Sequence, residues 1–273
     1  HASKGGNTFN GPVSITDSAI AGITLADSLP DIFNSTLDLY NASTANIFIA
    51  HKATGCQFNG TVSFNGPNIY SNYYGSATYT SNIILNNASG NFFFGYSTGS
   101  CTQTAGNKIS IGGSGMSSGQ LYLRNFTSLD SSSKITLNMT GTAKLYFESG
   151  SVFYDSISAS VPSLYLNGSK FHGVTILEST GSSNVTSTGG CSFYNQMSFE
   201  NDLSTSAIYS FANAQTDTFL MSSSFTNKGG TFTLNKGLFY GKCSIDNKAA
   251  SVGEGFYISS TGTCTFKDSL YFI

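Results

Sequence analysis

The sequence predicts an all-β chain, a right-handed parallel β-helix (solenoid) of roughly eleven coils with about 24 residues per coil. Three observations lead there. A Phe-centred frame returns at nearly constant spacing, apolar and polar residues alternate within each short segment, and the chain is rich in Gly, Ser, Thr and Asn while only 10% of its residues are charged. Alternation gives each segment a single apolar face, because successive side chains of a strand point to opposite sides. One unit cannot cover that face alone, whereas copies stacked in register cover one another.

The frame is clearest in Gly55-Cys56-Gln57-Phe58-Asn59-Gly60-Thr61-Val62-Ser63-Phe64-Asn65, a turn that feeds a short strand. Phe58 is followed at the fourth and sixth positions by Val62 and Phe64, as Phe9 is by Val13 and Ile15, and Phe33 by Leu37 and Leu39. Phe193 (Met197, Phe199), Phe239 (Cys243, Ile245) and Phe266 (Leu270, Phe272) repeat it, and Phe153 (Ile157, Ala159) does so more weakly. A second frame lies between these copies, in Ile23-Thr24-Leu25-Ala26, Ile47-Phe48-Ile49-Ala50 and Tyr209-Ser210-Phe211-Ala212. Each unit therefore carries at least two strands.

The expected organisation is one elongated body over 1–273, with regular coils at 1–66, less regular coils at 67–188 and a second copy of the opening pattern at 189–273. The opening His1-Ala2-Ser3-Lys4-Gly5-Gly6-Asn7-Thr8-Phe9 reappears as Val185-Thr186-Ser187-Thr188-Gly189-Gly190-Cys191-Ser192-Phe193. With the last residues inside a strand frame, this predicts a window of a longer array.

In the first copies, Phe9, Phe33 and Phe58 are expected to form an interior column, with Asn10, Asn34 and Asn59 lined up at the following turn, where each amide bonds the next. Between 67 and 120 the pattern loosens. Tyr70, Tyr73 and Tyr74, with Tyr79, are candidate glycan contacts, set against a covering role for the same rings and a chain without Trp. The run Gly112-Gly113-Ser114-Gly115 lacks dinucleotide spacing and reads as a tight corner.

A net charge of −2 and a pI near 5.9 give no electrostatic footprint for nucleic acid or an anionic membrane. Five cysteines, Cys56, Cys101, Cys191, Cys243 and Cys264, show neither metal-pair nor redox spacing. Cys56, Cys191 and Cys264 replace turn residues, Cys243 stands at an apolar strand position, and a disulfide between neighbouring coils is an open alternative. Catalysis would need paired carboxylates, for which Asp155 with Glu178, Asp246 with Asp268, and Glu200 with Asp202 are the candidates. Arg124 is the only arginine, and His1, His51 and His172 are isolated. The expectation is no catalytic, cofactor-binding or metal site.

Gly-Gly-Asn-Thr-Phe-Asn-Gly at 5–11, Ile-Thr-Leu-Ala with Pro-Asp-Ile-Phe-Asn at 23–34, and Lys-Ile-Ser-Ile-Gly-Gly-Ser-Gly with Leu-Tyr-Leu-Arg-Asn-Phe at 108–126 resemble repeats of very large secreted surface proteins of Bacteroidota, including gliding-associated adhesins exported by type IX secretion. The resemblance covers most of the chain and brings no catalytic residues with it. It implies O-glycosylation at Asp-Ser/Thr followed by a small or aliphatic residue, which fits Ser18, Ser28, Ser156 and Ser269. The expectation is a structural, adhesive shaft segment of a secreted filamentous adhesin at the bacterial cell surface, with no chemistry of its own. Its partners would be other segments of the same long chain and cell-surface or environmental glycans, without nucleic acid or membrane insertion. The alternatives are a carbohydrate-active β-helix, lyase or hydrolase, and a glycan-binding module.

Overall fold

The computed structural model describes residues 1–18, 20–86, 89–104, 106–112, 115–204, 206–249 and 254–273. Among these, every regular element is a strand, every strand pairing is parallel, and successive turns follow about 24 residues apart, a β-solenoid of about eleven turns. The chain divides into two compact units, His1–Thr136 and Leu137–Ile273.

In the first unit each turn contributes three strands. The opening turn has Thr8–Phe9, Val13–Asp17 and Ile23–Thr24, and each pairs with the third strand further on, Ile32–Phe33, Leu37–Asn41 and Ile47–Ile49. The Phe frame is thus two strands with a corner at Asn10, Gly11 and Pro12, where proline's missing N–H costs no ladder bond. The registers put like on like: Phe9 opposite Phe33, Leu37 opposite Val62, Leu39 opposite Phe64 and Val62 opposite Ile83. Leu37, Leu39, Val62, Phe64, Ile83 and Leu85 are all buried, while the residues between them face outward or are partly covered.

The third strand of a turn ends on a left-handed residue: Ala26 (φ 53°), Ala50 (φ 49°) and Asn72 (φ 62°) in the first unit, and Ala212 (φ 53°) in the second. Left-handed backbone disfavours a large Cβ, which explains small or Asn residues at a position the sequence presents only as the end of an apolar frame.

In the second unit the Phe column has six rungs, Phe153, Phe171, Phe193, Phe219, Phe239 and Phe266, with neighbouring ring centroids 5.4, 5.0, 5.0, 4.5 and 4.7 Å apart. Inside the same unit the amides of Asn201, Asn227 and Asn247 bond in series, Asn201 Nδ2 donating to Asn227 Oδ1 at 2.7 Å and Asn227 Nδ2 to Asn247 Oδ1 at 2.9 Å.

The sequence match between 1–9 and 185–193 is reproduced in three dimensions. Gly5 and Gly6 (φ 89° and 82°) correspond to Gly189 and Gly190 (φ 88° and 84°). A Cβ on Gly5 would meet Leu29 O at 1.9 Å, and one on Gly189 would meet Gln215 O at 2.2 Å, so both positions need glycine for space as well as for φ. Asp31 and Asp217 also correspond. Asp31 Oδ1 accepts both the backbone N–H and the side-chain amide of Asn7, each at 3.0 Å, whereas Asp217 Oδ1 accepts the Cys191 N–H at 2.7 Å and Oδ2 makes no hydrogen bond.

The five cysteines are all free thiols, four buried and Cys264 partly exposed. No helix of the described residues is long and apolar enough to cross a membrane.

Candidate functional site

The rings of Phe9, Phe33 and Phe58 stack with centroids 4.7 and 5.2 Å apart, and Tyr79 continues the column at 4.6 Å from Phe58. Outside it, Asn34 Nδ2 donates to Asn10 Oδ1 and Asn59 Nδ2 to Asn34 Oδ1, both at 2.9 Å, and Thr80 Oγ1 donates to Asn59 Oδ1 at 3.1 Å. These side chains are used up in joining one turn to the next.

The tyrosine run divides. Tyr79 is fully buried and its hydroxyl is bonded to Ser71 Oγ at 2.5 Å, so it is a core residue and no part of a sugar platform. Tyr70 is one rung of an outer ladder, Phe48–Tyr70–Phe93–Tyr122, with centroids 5.0, 4.4 and 4.9 Å apart. Both faces of its ring are covered, which leaves no face for a sugar to stack on. Tyr73 packs edge-on against Phe48 and Tyr74 and tilted against Tyr96; Tyr74 is 47% exposed. His51 sits beside Phe48, Tyr73 and Tyr74, and its Nδ1 lies 2.9 Å from Asp27 Oδ1, which Lys52 Nζ also approaches at 2.8 Å. Lys52 first, then His51, holds the Asp27 carboxyl below its usual range.

Of the four candidate glycosylation serines, Ser18 and Ser28 are exposed and Ser156 and Ser269 partly covered. Ser269 donates through N–H and hydroxyl to Asp268 Oδ1, at 2.7 and 3.0 Å. The triplet beginning at Asp17 runs into Ala19, which lies outside the described residues, as do Gly113 and Ser114 of the glycine run.

The paired-carboxylate candidates fare unequally. Ser160 is opposite Glu178, so Asp155 lies five residues out of register with Glu178, about 16 Å along the strand, and is buried at a corner. Asp246 and Asp268 are similarly offset, since Cys243 is opposite Leu270. Glu178, Glu200 and Asp202 do converge, with carboxylate oxygens within 4.8 Å of one another, a spacing that oxygen-ligated cations use. One of the three is ion-paired, Glu200 with Lys228 Nζ, and the Ser160 hydroxyl donates to Glu178 Oε2 at 2.5 Å.

Elsewhere carboxylates serve as tethers between turns. Asp130 Oδ2 accepts the Gly106 N–H at 2.8 Å while Oδ1 accepts the Ser132 hydroxyl and N–H, and these bonds hold its pKa at about 2. Burial drives Asp217 the other way, well above the carboxylate range, against only the N–H groups of Cys191 and Gly190.

Two outward features escaped the sequence reading. The position after the frame Phe, Asn in the first coils, becomes aromatic in the second unit: Tyr154, His172 and Tyr194 stack with centroids 4.5 and 4.2 Å apart. Beside that stripe, five strands of a seven-stranded sheet, Thr175–Ser179, Met197–Asp202, Ser223–Gly229, Cys243–Asn247 and Leu270–Phe272, carry a groove of about 440 Å³. Its middle row, in register, is Ile176, Ser198, Ser224, Ser244 and Tyr271, and Gln196, Ser222 and Lys242 flank it. Three serines thus form a low floor between two exposed apolar side chains, Ile176 at 47% and Tyr271 at 48%.

No family model matches the chain, and neither a curated protein nor a solved structure matches it significantly.

Proposed function

We propose that the chain is a structural, adhesive segment of a secreted, surface-attached protein, supplying reach and contact surface without catalysing a reaction. The observation that carries this reading is where the polar side chains go. Asn10, Asn34 and Asn59, Asn201, Asn227 and Asn247, and the carboxylates of Asp31, Asp130 and Asp217 bond to the adjacent turn. Such ladders join each unit to its neighbour and let stability grow with the number of turns, the property a load-bearing shaft requires. The separation of Asp155 from Glu178, and of Asp246 from Asp268, argues against the lyase or hydrolase alternative at those pairs.

The test is antibody raised to this segment, used on producing cells before and after protease shaving. A very large polypeptide that disappears on shaving supports a surface shaft. A free product of roughly 30 kDa in the medium, close to this chain's own 28.8 kDa, would overturn it. An assay on acidic polysaccharides gives the second check: cleavage lost in Glu200→Gln would replace the structural reading with an enzymatic one.

A further inference from the structure

We infer that the serine-floored groove of the second unit is a binding site for a linear, carboxylate-bearing oligosaccharide lying across the strands, along the direction in which the turns stack. The inference stands on the groove and holds whether or not the chain is part of a surface shaft.

The groove has the makings of a site rather than a gap. Ser198, Ser224 and Ser244 follow one another on adjacent strands, about 4.8 Å apart, so the row from Ile176 to Tyr271 spans about 19 Å. Among the described residues none of these three hydroxyls has a hydrogen-bond partner, and neither does the Gln196 side-chain amide nor the Lys242 ammonium. Hydroxyls at that repeat suit a ligand whose own hydroxyls recur at the same interval, and a pyranose unit is about as long as one rung. An extended peptide repeats its side chains on one face every 6.6 Å or so and falls out of phase within two rungs. The strand N–H and C=O groups beneath are also paired within the sheet, so a peptide finds no backbone partners there. Tyr271, exposed at one end, offers an amphipathic ring of the kind that covers the apolar face of a sugar.

Charge selects the ligand class. Lys242 is the only charged residue lining the groove, and it has no carboxylate partner among the described residues. The acidic side chains on these strands, Glu178, Glu200, Asp202 and Asp246, lie on the side of the serine row away from Lys242, with Glu200 paired to Lys228 and Asp246 to Lys248. Lys242 and Asp246 are four residues apart on one strand, about 13 Å, which exceeds the screening length of about 10 Å at 0.1 M salt. A carboxylate directed at Lys242 therefore meets an uncompensated cation, whereas Glu178, Glu200 and Asp246, two residues on from Ile176, Ser198 and Ser244 and about 6.6 Å away on the same face, disfavour carboxylates on the ligand's other side. Asp268, near the same end, is held by Ser269.

The test is titration calorimetry on the full chain with tetragalacturonate, its monomer, the neutral cellotetraose and tetraglutamate. The expected result is measurable binding of tetragalacturonate, at least about tenfold weaker for the monomer and in Lys242→Met. Ser224→Trp, which fills the floor, should abolish binding while circular dichroism and thermal melting remain those of the parent. Binding unchanged in both variants, or tetraglutamate bound as well as tetragalacturonate, overturns the proposal. So does the absence of binding at millimolar ligand. Because the readout is affinity on the isolated chain, failure here leaves the shaft reading untouched, and failure of the shaving experiment leaves this one untouched.

Discussion

Asp31 and Asp217 occupy equivalent places in the two copies of the opening pattern, and one residue separates their fates. Asn7 gives Asp31 an amide N–H in addition to its backbone N–H, whereas Cys191 gives Asp217 its backbone N–H alone. Buried with Oδ2 unbonded, Asp217 has its pKa raised in the folded state. The folded chain then holds a proton that the unfolded chain releases near pH 4, so stability falls as pH rises from the unfolded value toward the folded one. Asp217→Asn is accordingly expected to raise Tm at pH 7–8 and to change it little near pH 3, measured by thermal melts across that range. The stacked rings give a second prediction at this scale. Phe33 is buried between Phe9 and Phe58, and Phe33→Ala should cost about 3–5 kcal/mol in denaturant unfolding. Asn34→Ala, on the exposed ladder, should cost only about 0.5–1 kcal/mol. Phe9, Phe33 and Phe58, with Asn10, Asn34 and Asn59 after them, were legible in the sequence because their spacing is nearly constant. The charge state of Asp217 was not legible, because it depends on what stands one turn away.

The strands of each turn are short, several only two or three residues long, and their positions are fixed by corners. Gly189 shows how tightly. Its φ of 88° is left-handed, and an added Cβ would lie 2.2 Å from Gln215 O and 2.8 Å from Ala212 Cα, both in the next turn. Gly189→Ala should therefore destabilise by about 2–4 kcal/mol, combining backbone strain with displacement of the neighbouring corner, and Gly5→Ala should behave alike. Comparing chemical unfolding midpoints of these variants with Gly11→Ala, where an added Cβ meets nothing within 4 Å, separates crowding from a general glycine effect. At this scale the sequence showed at least two strands per unit, and the structure has three. The Phe frame reads as one segment because its corner carries no apolar break. A chain can turn there because Gly11 and Pro12 lie outside the strands and the Asn10 side chain, bonded to Asn34, holds the corner to the next turn.

A solenoid is nearly one-dimensional, each turn bonding to the turns beside it, and this makes whole-turn changes milder than partial ones. Deleting residues 34–58 joins Phe33 to Asn59 and restores the frame, so the shortened chain should keep a cooperative melt and parent-like circular dichroism, with a modest fall in Tm. Deleting 34–45 leaves a turn too short to carry three strands, and it should lose cooperative melting and enter the void volume on size exclusion. Equal behaviour of the two deletions would refute register as the organising constraint of the first unit.

The sequence by itself determined the strand type, the approximate period and the inward faces. An interior column accepts only apolar or mutually bonding side chains, so the same residue types must return each time the chain comes round. The tertiary structure alone decided which outward residues meet. Ser198 and Ser224 are 26 residues apart and Ser224 and Ser244 only 20, yet each pair stands on adjacent strands. Corners of unequal length absorb the difference without disturbing the core, and nothing outside the core obliges their spacing to be regular. That is why the Phe column could be read from the chain, whereas the closed faces of Tyr70, the convergence of Glu178, Glu200 and Asp202, and the serine floor beside Lys242 appeared only once the turns were stacked.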